Sequence, residues 1–366
     1  MRCHLVYDVP MTGRLARVRR KSYLQLQKLG LPVCWFGRRG NPDTSWWPTR
    51  SPYENTKHLF EGLSQHAPTL LYCLDEHVSC KFSGEDIFLG HPVFPFRPGR
   101  RGVTELSIAQ SPRPRVVALV SPLHCDTDIK TNHINRSYLD GINELIDRVD
   151  ILFAIMGRYW WDRWPNSPFA HWIPKMVRLD MAVETSLFPR VKNRFNPPGK
   201  RGYLYIGRNG PMKGTRFLGE LLSSLGDYRR GWIGVGQDIP GITRISHDRD
   251  LTPDFMAEIA ETYDFFVSAA AADPNPTTIL ESMAWGFPVI CTPQSGYYET
   301  SYRKNIYRDD LGRSVQVLRQ LQFADEGTLM RMADEARMVV EREYTWDRFV
   351  GTVCAGLGLK RPRAGD

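Results

Sequence analysis

Long apolar runs are missing from this 366-residue chain. Its longest, VVALV and ILFAIM, fall far short of the roughly 18–20 residues needed to span a bilayer. The opening MRCHLVYDVP lacks the extended apolar core of a secretory leader and is read instead as a first strand. Cysteine is sparse and scattered: Cys3, Cys34, Cys73, Cys80, Cys125, Cys291 and Cys354, with no CxxC pair. An odd, dispersed set argues against a disulfide framework and a zinc site, and fits a reducing compartment. No sequence repeat is visible. The expectation is a cytoplasmic protein without a membrane span.

What is present is ordinary globular stock, 42% hydrophobic and 24% charged. The length suits two domains of about 150–180 residues each. A formal charge of +8 favours a polyanionic partner: nucleic acid, lipid headgroups or a phosphorylated small molecule. Basic residues concentrate at RLARVRRK (14–21), FRPGRRG (96–102) and KRPR (360–363). No zinc-finger spacing or RNA-binding aromatic signature accompanies them, so a nucleic-acid partner is not expected. The segment from Arg14 to Lys21, with Leu15 and Val18, could touch an anionic membrane peripherally. Packing of its apolar side on a sheet is the preferred reading.

Short β-like runs alternate with helical patterns. CHLVYDV leads into a helical stretch, LPVCWFG follows as a second strand, and TLLYCL, DIFLG, RVVALVS and DILFAIM continue the series. SLFPRVKNRFNPPGKRG (186–202), rich in Pro and basic residues, reads as a linker or its flank. The alternation then restarts with YLYIGR, WIGVG, ITRIS, DFFVSA and PVICT between helices, and two helices close the chain. The fold expected is α/β: two doubly wound Rossmann-like domains facing across a cleft, with ligand beyond the carboxyl ends of the strands. The domains are placed at 1–188 and 189–340. Residues 341–366 form a C-terminal helix that crosses back to the first domain.

Two stretches carry chemistry. YLYIG ends in RNGPMKGTRFLGELL, which sets Arg208 and Lys213 near a helix N-terminus at a strand's carboxyl end. Two cations and free amides suit a phosphate, although loop-surface charges would look the same. DFFVSA then leads through AAADPNPTT into a second helix. Asn275 or Pro276 falls near its N-terminus, which leaves the Thr277 and Thr278 amides free for an anion. Asp273 stands at the loop's mouth, and Glu281, one turn in, leans back toward the same place. The vicinal hydroxyls of a ribose would give that carboxylate donors. The plainer alternative makes Asp273 a helix-dipole partner and Glu281 a solvated residue.

These motifs resemble those of the retaining GT-B glycosyltransferases of family four. The match is carried by GRNGPMKG, by DPNPTTILESMAWGFPVI, by SGYYE with Glu299, and loosely by RLDMAVETSLFPR; it is good over about residues 150–350 and weak before them. The resemblance implies a GT-B fold in which Arg208 and Lys213 hold a donor diphosphate. Asn275, Thr277 and Thr278 would bind its distal phosphate and sugar, and Glu281 the ribose. Asp273 stands where the family has a sugar-contacting Glu, one methylene longer. In the first domain the family places a His at a strand end near the reacting carbon, and here Ser121 or His124 fills that place. His91, Asp126 and Gly13 are further candidates for acceptor or sugar contacts. Asp126-x-Asp128 is read as surface or acceptor-side, not as a metal site. Trp46, Trp47, Trp160, Trp161 and Trp164 could stack on sugars.

The activity implied is retaining, metal-independent transfer of a hexose-type sugar from a UDP-, dTDP- or GDP-linked donor. The acceptor is a glycan or lipid-linked molecule of surface polysaccharide or glycoconjugate synthesis. No cofactor beyond the co-substrate is expected. Competing readings are a nucleotide-sugar epimerase or hydrolase on the same fold, and a non-catalytic basic protein that binds glycan or nucleic acid.

Overall fold

A computed structural model describes residues 1, 3–7, 53–73, 83–90, 112, 114–120, 146–247 and 251–359. Two six-stranded parallel sheets organise them. The first contains β1 (Cys3–Tyr7), β2 (Thr69–Cys73), β3 (Ile87–Gly90), β4 (Arg115–Val120), β5 (Ile151–Ile155) and β6 (Met176–Leu179), in the order β2-β1-β3-β4-β5-β6. The second contains β7 (Tyr203–Ile206), β8 (Arg230–Ile233), β9 (Thr243–Ser246), β10 (Phe265–Ser268), β11 (Val289–Cys291) and β12 (Arg303–Asn305), in the order β12-β11-β10-β7-β8-β9. Central strands such as YLYI and FFVS are buried at every position. That follows from helices covering both faces of a parallel sheet, which turns alternation into continuous apolar runs.

The helices are α1 (Tyr53–Ser64), the short α2 (Gly157–Trp161), α3 (Thr215–Ser223), α4 (Pro253–Thr262), α5 (Thr277–Trp285), α6 (Leu311–Phe323), α7 (Glu326–Glu343) and α8 (Trp346–Leu357). Four of them begin with a side-chain cap from the chemistry expected there: Thr252, Asp310, Asp325 and Thr345 accept from the third residue on. Helix α5 is nearly all core, with Ile279, Leu280, Met283, Ala284 and Trp285 fully buried. Helix α8 lays Phe349, Val353 and Leu357 into one apolar cluster with Leu59, Phe60 and Leu63 of α1. Arg115, at the start of β4, donates to the last carbonyl of α8, that of Leu357, at 2.9 Å. The chain's last described helix therefore packs on the first sheet's layer, not on the second's.

The segment 186–202, expected to be a linker or its flank, runs from the first sheet's last strand to β7 and is held by buried charges. Lys192 is 1% exposed and ion-paired at 2.8 Å with Asp264, itself 0% exposed. Asp264 also accepts from the Asn196 amide, the Asn196 side chain and the Gly202 amide at 2.8, 3.0 and 2.9 Å. Arg201, equally buried, donates to the carbonyls of Leu321, Gln322 and Ala324 and so closes the C-terminus of α6. Arg190 pairs with Asp334 on α7. The stretch is a strap sewn to the second sheet's layer, because its charges find partners that the local sequence does not display.

Candidate functional site

β7 and β10 are neighbours in the second sheet, and the loops leaving their carboxyl ends lie together. The first loop turns through a 3-10 segment, Pro211–Lys213, before α3. Its Met212 carbonyl accepts from the amides of Ala271 and Ala272 in the second loop at 2.8 and 3.1 Å. Gly214 makes this approach possible: it has φ of 64°, and a Cβ there would stand 1.8 Å from the Ala269 carbonyl oxygen. Only glycine fits.

Arg208 is exposed at the exit of β7, while the Tyr205 hydroxyl donates to its carbonyl at 2.9 Å and fixes the backbone. Lys213, from the first loop, forms an ion pair with Asp273, from the second. Thr277 and Thr278 open α5, whose N-cap is Pro276 and which has no capping side chain. Both threonines and Glu281 are half-buried. The first-turn amides of α5 thus have no capping side chain, and the helix begins four residues after Asp273. The contacts that join the two loops are the Met212 bonds and the Lys213–Asp273 pair; Arg208 lies on the first loop and Thr277, Thr278 and Glu281 follow the second.

Asn275 requires a correction. As an expected donor to a diphosphate it should have free hydrogen-bond capacity, yet it is 2% exposed. Its amide donates to the Ser295 carbonyl at 3.0 Å. Its Oδ1 accepts from the Met181 amide and the Tyr297 hydroxyl, both at 3.1 Å, and its Nδ2 donates to Asp180 at 3.1 Å. Those partners exclude a direct phosphate contact through either side-chain atom as it lies. Glu299 of SGYYE faces solvent and pairs with Lys304 at 3.3 Å.

The carboxyl ends of the first sheet meet this layer. After β5, Tyr159 donates through its amide to the Gly296 carbonyl at 3.2 Å, and the Trp160 indole donates to the Gln294 carbonyl at 2.9 Å. Trp160 is therefore a bridge between the two layers, and Trp164 is buried against Phe169 and Trp172. Trp164 is thus no open stacking platform, whereas Trp160 and Trp161 are half-buried. Trp46, Trp47, Gly13, His91, Ser121, His124, Asp126 and Asp128 lie outside the described residues. So does the basic segment 14–21.

Sequence reading missed a second acidic locus. The Trp346 indole of α8 donates to Glu54 of α1 at 3.3 Å, and His58, one turn along α1, stacks on the same indole at 4.4 Å. Burial pushes Glu54 up from 4.5 to about 7, opposed by the Trp346 bond and reinforced by the charges of Glu281 and Glu184. Spacing on α1, Glu54 and His58 one turn apart, was the available signal, but the partner lies far along the chain. Among the described residues no group of three or more His, Cys, Asp or Glu could hold a metal ion, and no helix is long and apolar enough to cross a membrane.

No family model and no curated protein matches the chain. Solved structures do. Sucrose-phosphate synthase from Thermosynechococcus elongatus is similar at a TM-score of 0.59 and 12% identity, over 97% of each chain. A trehalose-6-phosphate protein from E. coli, bound with UDP-2-fluoro glucose, gives 0.56 and 13%, covering 99% of this chain and 100% of that one. WaaG, a glycosyltransferase involved in lipopolysaccharide biosynthesis, gives 0.51 and 13% with the same coverage. These neighbours are GT-B glycosyltransferases, and the chain has their fold: two Rossmann-like domains, each on a parallel sheet. At such identities the likeness shows the fold.

Proposed function

We propose that this protein is a retaining glycosyltransferase that takes a hexose-type sugar from a nucleoside-diphosphate donor. The observation that supports the reading is the pair of tied loops at the ends of β7 and β10: one carries Arg208 and Lys213, the other Asp273 and the uncapped start of α5. Fixed cations and amides neutralise the charge that develops on a departing diphosphate. They can do so without a divalent ion, and none enters this reading. An E. coli neighbour bound with UDP-2-fluoro glucose supports trying UDP first.

In this reading the donor diphosphate competes with Asp273 for Lys213. Once displaced, the Asp273 carboxylate is free to accept from hydroxyls of the transferred sugar, directly or through a water. Glu281 would accept from the ribose. The bond from the anomeric carbon to the diphosphate oxygen breaks as the acceptor hydroxyl oxygen bonds to that carbon from the same face. The hydroxyl proton passes to the leaving phosphate oxygen. The acceptor, a glycan or lipid-linked molecule, would approach from the first domain, where His124 or Ser121 would stand near the reacting carbon.

Isothermal titration with UDP, GDP, dTDP and ADP tests this on the wild type and on Glu281→Ala. One nucleotide should bind, and the substitution should abolish that binding. If none binds at millimolar concentration, the donor reading fails and a non-catalytic binding protein takes its place.

A further inference from the structure

Asn275 is the one non-glycine residue with positive φ, 55°, among the described residues. Asparagine tolerates that left-handed conformation better than most residues, but here it also precedes Pro276, which restricts it further. Something must hold it. The Asn275 amide and its two side-chain ends are all engaged, and the partners divide between the two domains. Ser295 and Tyr297 belong to the second. Asp180 and Met181, just beyond β6, belong to the first. The Oδ1 faces two donors and the Nδ2 faces a carboxylate, so an asparagine fits where neither aspartate nor leucine would.

The backbone beside it is equally confined. Gly296 has φ of 94°, and a Cβ on it would stand 2.9 Å from the Asn275 nitrogen and 3.2 Å from the Met156 carbonyl oxygen. A Cβ on Gly157 would stand 2.5 Å from the Gly296 oxygen. The 273–276 loop is therefore gripped twice by the first domain: through Gly296 by the exit of β5, and through the Asn275 side chain by the exit of β6.

We propose that Asn275 is a positioning residue that makes the anion cradle depend on the juxtaposition of the two domains. Its bonds to Asp180 and Met181 hold the left-handed turn from which Pro276 starts α5, and so aim the Thr277 and Thr278 amides. The inference rests on the donor reading above, since it is the diphosphate that the cradle would receive. Separation of the domains takes the Met181 amide from Oδ1 and Asp180 from Nδ2, leaving the side chain with the Tyr297 hydroxyl alone, and the cradle slackens. Donor affinity and domain closure then rise and fall together.

Asn275→Gly keeps the backbone freedom and removes the three side-chain bonds. The first readout needs no ligand: hydrogen exchange on the full chain, in peptides covering 176–183 and 273–281. The variant should exchange faster in both, and unchanged protection in either overturns the proposal. The second is titration with UDP and UMP, or with the matching pair for whichever nucleotide binds wild type. Diphosphate affinity should drop about tenfold or more while monophosphate affinity holds, because the cradle meets the distal phosphate. Equal loss of both, or loss of neither, sinks the idea while the donor reading survives. If wild type binds no nucleoside diphosphate, the donor reading falls, and this proposal with it.

A conservative variant adds a sign. Burial raises the pKa of Asp180, against the opposing charges of Arg178 at 3.1 Å and of Arg348, with Glu343 adding to the rise. In Asn275→Asp two carboxylates would face each other, and a shared proton would restore the bridge. The diphosphate-over-monophosphate preference of that variant, taken relative to wild type at each pH, should recover as pH falls. A flat ratio would contradict the bridging role.

Discussion

Lys192 and Arg201 lie a short way before Arg208 and Lys213, and the two pairs use the same charge in opposite ways. The first pair is buried and engaged, by Asp264 and the Ala260 carbonyl on one side and by the carbonyls closing α6 on the other. The second pair stands at the exit of β7, with Arg208 exposed and Lys213 held by a carboxylate from the next loop. Burial against several acceptors gives architecture; exposure near an uncapped helix start suits an anion. A basic residue's role is therefore set by how many acceptors the fold has already assigned to it.

The largest test of that contrast is Lys192→Met. It leaves Asp264 buried without its cation and should cost about 3–5 kcal/mol in urea unfolding. Nucleotide affinity of the folded protein should not change. A loss of affinity without a loss of stability would erase the distinction between the two pairs.

Carboxylates sharpen it next. Asp264 has four donors, whereas Glu54 has the Trp346 indole as its donor among the described residues. The native Glu54 pKa, about 7, lies above the ordinary 4.5, so the folded state binds its proton more tightly. The stability it contributes is complete below pH 4.5 and is lost as pH rises toward 7, on the order of 3 kcal/mol at most. Glu54→Gln keeps the acceptor for Trp346 without the charge. It should match wild type in unfolding free energy at pH 4.5 and exceed it at pH 7.5; parallel curves would refute the shift.

Arg208→Ala should act the other way round from Lys192→Met. Its unfolding midpoint should stay put, within about 0.5 kcal/mol. Its diphosphate affinity, measured by titration calorimetry, should fall by about 1.5–3 kcal/mol, the worth of a charged hydrogen bond. The smallest effect belongs to Asp273→Asn. Freed of its counter-ion, Lys213 should bind diphosphate more tightly by up to about 1 kcal/mol. Sugar transfer should nevertheless slow, and faster transfer would remove Asp273 from the reaction.

The sequence made the second sheet legible because buried parallel strands are compact apolar words: YLYI, FFVS and VIC stand out between glycines and polar turns. It concealed β12, whose residues are Arg-Lys-Asn, and α6, which buries Ser314 and Gln322 beside only two leucines. α1 was hidden for the same reason, since Asn55 and Thr56 take core positions that the eye reserves for apolar residues. The two loops of the site could be found from Arg208, Lys213, Asp273 and Glu281, whose spacing is local. Asn275 could not be placed correctly. Its partners Asp180 and Met181 lie far off in sequence, and a left-handed asparagine between two prolines looks like any polar loop residue. The burial of Lys192 in the strap 186–202 was hidden likewise, since it depends on Asp264 far along the chain.

The seating of α8 on α1 has a consequence in time. At ribosomal speeds of roughly 5–20 residues per second, the stretch from Ser64 to Trp346 takes on the order of 15–60 s to synthesise. Throughout that interval Leu59, Phe60 and Leu63 lack the Phe349, Val353 and Leu357 that complete their cluster. The half of the protein made first is thus finished last, and a growing chain must keep that apolar face from other company until its own final helix arrives.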